Sequence, residues 1–306
     1  MISKLKKPEY QLLALVLALL AMGICGPFVA QPMHQHDFAD QRAWGSIPFA
    51  MDVLSNLPFA LWGAFGLGCV LSLAWSKKPL PGQNQTMIEL ALAALFFAGL
   101  LATTAASSWY HWLPSNSGLA VDRMGMTIAF SGLLGLAAAG RVGPRAGVGL
   151  AGAVLVSGLL SVQIWAATGN ILPWALVQFG GMALVLWFAV LQPLPGALPV
   201  RWGVVILIYA LAKLLELGDH QIYDLTSHLV SGHSLKHVVA SFAAWPVLAA
   251  LGVKARTSLG TWLRFHKTSA ECLSPLQRAL SSPPSDGSRA TRGLRAVKTN
   301  EKRSQA

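Results

Sequence analysis

The stretch Ser231-Gly232-His233-Ser234-Leu235-Lys236-His237 runs without interruption into V-V-A-S-F-A-A-W-P-V-L-A-A-L-G-V, residues 238–253. From His233 onward the segment is long enough to cross a bilayer, which takes roughly 20 residues of apolar helix. Its mouth, however, carries two histidines four residues apart. On a helix, positions i and i+4 share a face with their Cβ atoms about 6 Å apart. That spacing suits two imidazoles holding one metal ion. Read as a span, the segment makes the chain a membrane bundle and asks the rest of the sequence for a third ligand.

The remainder of the chain supports the membrane reading. Of 306 residues, 54% are hydrophobic and only 11% are charged, against about 25% charged in a soluble domain. Apolar stretches of near-spanning length fall at 12–30, 47–75, 87–112, 119–140, 146–166, 171–191, 202–217 and 233–253. The expected fold class is therefore all-α integral membrane. A seven-transmembrane-helix bundle (47–253) is preceded by one extra N-terminal helix (1–31, a transmembrane helix or signal anchor) and an extracytoplasmic acidic loop (32–46). Lys4, Lys6 and Lys7 precede the first stretch as they would in a signal peptide. Phe28-Val29-Ala30 makes a poor cleavage site, so a retained helix is expected.

The formal net charge is +11, and it is unevenly placed. Residues 254–306 hold eleven Lys/Arg against Glu271, Asp286 and Glu301. This Ser-, Pro- and Arg-rich tail has little to bury and reads as disordered and cytoplasmic, suited to touching anionic lipid. Because the remainder is lipid-embedded, a nucleic-acid partner is disfavoured. Cys25, Cys69 and Cys272 show neither disulfide spacing nor a zinc motif.

Basic residues set the orientation. Lys4/Lys6/Lys7, Lys77/Lys78, Arg141/Arg145, Arg201 and Lys254/Arg256 lie at alternate span ends. Eight spans put all of them on the cytoplasmic side. The opposite side then collects His34, His36, Asp37, Asp40, Arg42, His111, Asp122, Asp219, His220, Asp224, His228, His233 and His237. The expected location is a bacterial inner membrane, with this face periplasmic and the C-terminus cytoplasmic.

Ionisable groups within spans are costly and are functional candidates by default. The third span ends A-A-S-S-W-Y-H-W-L-P-S-N, which puts Ser107 and His111 at i and i+4. A short turn follows, and the next span opens L-A-V-D-R-M-G-M. A helical hairpin brings His111 and Asp122 to similar depth, on the side from which His233 and His237 enter. Taken singly, each residue has a plainer reading. A histidine at a span end is usually interfacial, Ser107 can bond its own helix backbone, and Asp122 can cap its helix or pair with Arg123. Together they form a hydrolytic kit. Three neutral imidazoles leave zinc an open position for water, a carboxylate moves the proton, and a hydroxyl steadies a developing oxyanion.

Ser-x-x-x-His closing one span, Asp eleven residues after that His, and His-x-x-x-His opening the last span resemble the alkaline ceramidases. That family belongs to the CREST superfamily of seven-span membrane hydrolases and receptors. Ser55-Asn56 in the second span also looks like the family's first core span. The resemblance covers roughly residues 37–253. It implies zinc on His111, His233 and His237, Asp122 as the acid/base group, and Ser107 polarising the scissile carbonyl. The implied reaction cleaves a long-chain N-acyl sphingolipid of the ceramide or phytoceramide type to fatty acid and amine.

The chain departs from the family in its acidic loop. Ceramidases carry a calcium loop reading Asp-Trp-x-Glu-x-Asn, whereas residues 37–42 here read D-F-A-D-Q-R. Arg42 stands where an oxygen ligand is expected, and a guanidinium cannot coordinate a cation. The expectation is that Arg42 replaces calcium and neutralises Asp37, Asp40 and Asp52. Lys213 and Glu216, at i and i+3, are expected to pair inside the bundle. The rival reading is a non-enzymatic seven-helix receptor or structural zinc protein. A transporter is disfavoured because no inverted repeat or pair of broken helices is visible.

The orientation is open to direct measurement. A reporter inserted at Ser115 is expected to read extracytoplasmic, and one fused after Lys254 cytoplasmic; the reverse pattern would move the site to the cytosolic leaflet.

Overall fold

The computed structural model describes residues 6–75 and 83–252. Lys4, Lys77/Lys78, Lys254/Arg256 and the rest of the basic tail, including Cys272 and His266, lie outside the described residues. Within them the fold is helical, with no strand beyond the isolated bridges Ala30–Asn170 and Trp44–Ile47. The helices are α1 (Lys7–Cys25), α2 (Ala50–Trp75), α3 (Gln83–Trp112), α4 (Asn116–Arg141), α5 (Pro144–Thr168), α6 (Leu172–Val190), α7 (Trp202–Leu217), the short α8 (Asp219–Leu225) and α9 (Gly232–Gly252).

Seven of these are long and apolar enough to cross a membrane; α7 and α8 are not. The sequence led us to expect a span at 202–217, and α7 occupies those residues. Its 16 residues rise about 24 Å at 1.5 Å each, short of the roughly 30 Å hydrocarbon core. Yet α7 runs between the same two ends of the bundle as its neighbours. Just before it, Leu198 N donates to Glu89 Oε1 (3.2 Å) near the start of α3, and Leu191 O accepts from Arg141 Nη1 (2.9 Å) at the end of α4. At its far end Glu216 pairs with Lys236 on α9.

Helices in lipid gain little from hydrophobic burial against one another, so close packing through small residues holds them together. The α3–α4 pair is built that way. A Cβ at Gly99 would strike the backbone of Ala129, and one at Gly132 the backbone of Phe96. Ala137, Ala138 and Ala139 on α4 are fully buried. Leu61, Phe65, Leu160 and Leu207 point outward and are exposed, as lipid-facing residues would be. The α3–α4 turn closes tightly because Ser115 Oγ accepts from Gly118 N (3.1 Å) and caps α4.

Two local irregularities interrupt the helices. α2 breaks at Ser55-Asn56, where Asn56 Nδ2 donates back to Asp52 O (2.9 Å). α9 tightens to a 3-10 turn at Phe242–Ala244, just before Pro246, which has no N–H for the ladder.

Candidate metal centre and the cavity around it

His111, His233 and His237 are brought together. Each is buried, and one ligand nitrogen from each lies within 4.8 Å of the others. His111 Nε2 and His233 Nε2 are 3.3 Å apart. Among the described residues this is the group of side chains that can hold a metal ion. His111 comes from the last turn of α3. The other two come from the first turns of α9, whose start is fixed by Ser231 Oγ accepting from Ser234 N (3.0 Å). Gly232 lets α9 begin tight against α7 and α8, since a Cβ there would run into Leu215 O and the Asp219 Cα.

Hydrogen bonds outside the cluster hold the His237 ring and the α9 backbone. Ser55 Oγ and His237 Nδ1 are 2.8 Å apart, and Ser55 Oγ also donates to Asp52 O at 3.1 Å. With its single proton committed to Asp52 O, Ser55 accepts from His237 Nδ1–H, which leaves Nε2 bare. Asp219 Oδ1 accepts from His233 N at 2.7 Å, while Oδ2 accepts from Ala39 N at 3.0 Å. One carboxylate thus ties the α9 backbone to the loop between α1 and α2. Ser234 Oγ donates to Asp52 Oδ1 (2.6 Å), binding α9 to α2. That loop also covers the histidines, because the Phe38 ring lies 4.8 Å from His111 and 4.7 Å from His233, centroid to centroid. His36 Nδ1 meets Tyr110 Oη at 2.8 Å and holds the loop against α3.

Ser107 and Asp122 stand beside the cluster, as their spacing led us to expect. Both line a cavity of about 620 Å³ that the three histidines also face. Asp122 Oδ1 is buried and has no hydrogen-bond partner, and neither has His111 Nδ1. The apolar part of the wall includes Phe59, Leu119, Met126, Trp174 and Phe179. In α6 a π-helical turn, Leu176–Gly180, places Gln178 and Phe179 in that wall; such turns recur at functional sites. The expected Lys213–Glu216 pair is present at 2.6 Å, and Lys236 joins it through the other Glu216 oxygen, also at 2.6 Å.

The acidic loop differs from expectation. Arg42 neutralises Asp40 alone: Nε reaches Oδ1 at 2.8 Å and Nη2 reaches Oδ2 at 2.6 Å. Its Nη2 also donates to Leu229 O (2.9 Å), bridging to the loop before α9. Asp37 turns outward to His220 (3.7 Å), and Asp52 is engaged by Ser234. The three acids diverge because Asp40 and Asp52 are fully buried at separate hydrogen-bonded positions, while the Asp37 side chain is half-exposed. Burial alone would raise the Asp40 pKa. The hydrogen bonds and charge of Arg42 outweigh it and hold the carboxyl below its ordinary 3.8, and Asp40 in turn raises the pKa of Arg42.

Asp122 was legible in the sequence, and Ser55 only as half of the Ser55-Asn56 pair, without its bond to His237. The roles of Asp219, Ser234, Phe38 and Tyr110 around the histidines were not. The one available signal was Asp219 heading α8 immediately after Gly218. Compared with known proteins, the chain matches no protein-family model and no curated protein.

Because the Asp40 pKa is depressed, the ion pair stabilises the fold above the ordinary carboxylate range. That contribution is lost as pH falls through the lowered Asp40 value. Arg42→Gln is expected to lower the melting temperature at pH 7, with a deficit against the unchanged protein that shrinks below about pH 4. A calcium chelator is expected to leave both melting temperatures unmoved. A deficit independent of pH, or a large loss with the chelator, would contradict the ion pair's assigned role.

Proposed function

We propose that this chain is a zinc-dependent membrane amidase that hydrolyses a long-chain N-acyl lipid to a fatty acid and an amine. One observation carries the reading. Three buried imidazoles, an unpartnered carboxylate oxygen and a serine share one cavity in an apolar helical bundle. Zinc suits the donor set. Two nitrogens bound at about 2.0–2.1 Å in a tetrahedron stand about 3.3 Å apart, which is the His111–His233 separation. Held there by three neutral nitrogens, zinc supplies Lewis acidity and makes water nucleophilic near neutral pH.

The chain's own residues supply the rest. Asp122 takes a proton from the attacking water and returns it to the nitrogen of the scissile amide. Water oxygen adds to the carbonyl carbon, the C–N bond breaks, and acid and amine leave. The Ser107 hydroxyl donates to the carbonyl oxygen as negative charge builds there. Phe38 and Tyr110 hold the loop over the site and limit bulk water. The mixed wall of the cavity, apolar along Phe59, Met126 and Phe179 and charged along Lys213, Glu216 and Lys236, suits an amphipathic molecule. The resemblance to alkaline ceramidases in Ser107, His111, Asp122, His233 and His237 points to the same chemistry, and the basic residues at alternate span ends argue for an extracytoplasmic site.

The rival is a receptor-like or structural zinc protein without turnover. A structural zinc is usually closed by four protein ligands, whereas this cluster has three, with a carboxylate and a hydroxyl beside them.

Zinc is expected to copurify at about one per chain and to be lost from a His111→Ala, His233→Ala, His237→Ala triple variant. Asp122→Asn is expected to keep zinc yet slow hydrolysis of an N-acyl lipid about 10²–10⁴-fold, and Ser107→Ala to slow it about 10²-fold. Single-turnover assays in nanodiscs, with metal measured on the same samples, provide the check. Zinc-loaded protein that cleaves no amide or ester in a broad lipid panel would favour the receptor; full activity in Asp122→Asn would remove that residue from the mechanism.

A further inference from the structure

Arg123 is the least explained charge in the cavity wall. It is 6% exposed and lies within α4. Its guanidinium carbon sits 4.1 Å from the ring centre of Trp165 and 5.7 Å from that of Trp174. Nη2 donates to Gln31 Oε1 at 2.8 Å, and Nη1 is buried with no partner. Among the described residues Arg123 makes no ion pair with a carboxylate. A buried charge is ordinarily paired, because removing it from water is costly. Stacking on indole faces offsets part of that cost, but it leaves donors without an anion.

The cavity as a whole has the same imbalance. Its charged lining comprises Arg123, Lys213 and Lys236 against Asp122 and Glu216. Glu216 is shared between the two lysines, and the imidazoles are best as metal ligands when neutral. A divalent metal on those imidazoles would add to the excess. The wall therefore holds more positive than negative charge in a low-dielectric setting, where the missing partner is a ligand's anion.

We infer that Arg123, with Gln31 beside it, binds a negatively charged oxygen group on the amine side of the substrate, so that the preferred lipid is an anionic N-acyl amine rather than a neutral one. This rests on the amidase reading for the position of the scissile bond, though the anion site itself does not require turnover. A carboxylate and a phosphate monoester present the same chemistry to a guanidinium fork. Asp122 and Arg123 both line this cavity, so an anion held by Arg123 and a nitrogen protonated by Asp122 would belong to one bound molecule. Lysine would keep the charge but lose the planar stack on Trp165 and the fork.

The test uses the full-length protein in phosphatidylcholine nanodiscs and two readouts. Binding is measured with a non-cleavable probe, a long-chain 4-oxo carboxylic acid in which CH2 replaces the amide nitrogen of N-oleoylglycine, against its neutral carboxamide. Hydrolysis is measured with N-oleoylglycine against N-oleoylglycinamide, and with N-oleoyl phosphoethanolamine against N-oleoylethanolamine. The unmutated protein is expected to bind the acid at least about 10-fold more tightly than the carboxamide, a ratio worth about 1.4 kcal/mol. Arg123→Gln is expected to reduce that ratio to about 2 or less, and Arg123→Lys to retain part of it. The larger of the two hydrolytic preferences identifies carboxylate or phosphate as the natural group. Equal affinity for acid and carboxamide in the unmutated protein would overturn the inference, as would an unchanged ratio in a folded Arg123 variant. If Arg123→Gln does not fold, the unmutated and Arg123→Lys ratios decide. Preferential binding of the acid with no cleavage of any amide would keep the anion site and defeat the amidase reading; cleavage of all four amides without preference would do the opposite.

Discussion

Three imidazole nitrogens facing one another inside an apolar bundle are the constraint around which this end of the molecule is built. His111 Nε2 and His233 Nε2 stand 3.3 Å apart, a distance at which two bare lone pairs repel unless a cation or a shared hydrogen lies between them. Holding them there takes bonds from outside the cluster. Ser55 fixes the tautomer of His237, and Asp219 grips the backbone at His233. The tight Gly99–Gly132 crossing of α3 and α4 brings His111 up beside Asp122. Ser55 and His237 join helices distant in sequence, while the other two contacts join consecutive helices, so the bundle's packing and the site's geometry are the same set of interactions.

The loop between α1 and α2 belongs to that set. It is bonded to α3 through His36 and Tyr110, to α8 through Ala39 and Asp219, and to the segment before α9 through Arg42 and Leu229. Phe38 then lies directly on two of the three histidines. In this arrangement the bidentate Arg42–Asp40 pair anchors the loop from within the chain. The half-exposed position of Arg42 makes the pair a local brace rather than a major source of stability.

Much of the architecture was legible because lipid imposes a strong rule. Spanning segments must be helical and apolar, and the eight apolar stretches became eight helices. The shortness of α7 was already present in the bounds 202–217, and the expectation of a span there rested on its apolarity rather than its length. Ser107, His111, Asp122, His233 and His237 were legible through helical spacing, which fixes faces, together with a short turn, which fixes depth. The partners of the histidines were not. Asp219 and Ser234 act through contacts set by loop geometry, and Phe38 reaches the site across more than seventy residues of sequence. Arg42 could be identified as a cation among acids, but which acid it chose depended on the direction in which Asp37 and Asp52 turn. No periodicity encodes that.

The proposed metal, proton-transfer and substrate-binding roles all depend on the histidine cluster being a three-nitrogen centre with one position left open. X-ray absorption at the metal edge, on full-length protein as purified and without added metal, tests this most directly. The account predicts a zinc edge with four light scatterers at about 2.0–2.1 Å, three of them showing the multiple scattering of imidazole. A sulfur shell near 2.3 Å, four imidazoles, or protein that carries no metal at all would contradict it.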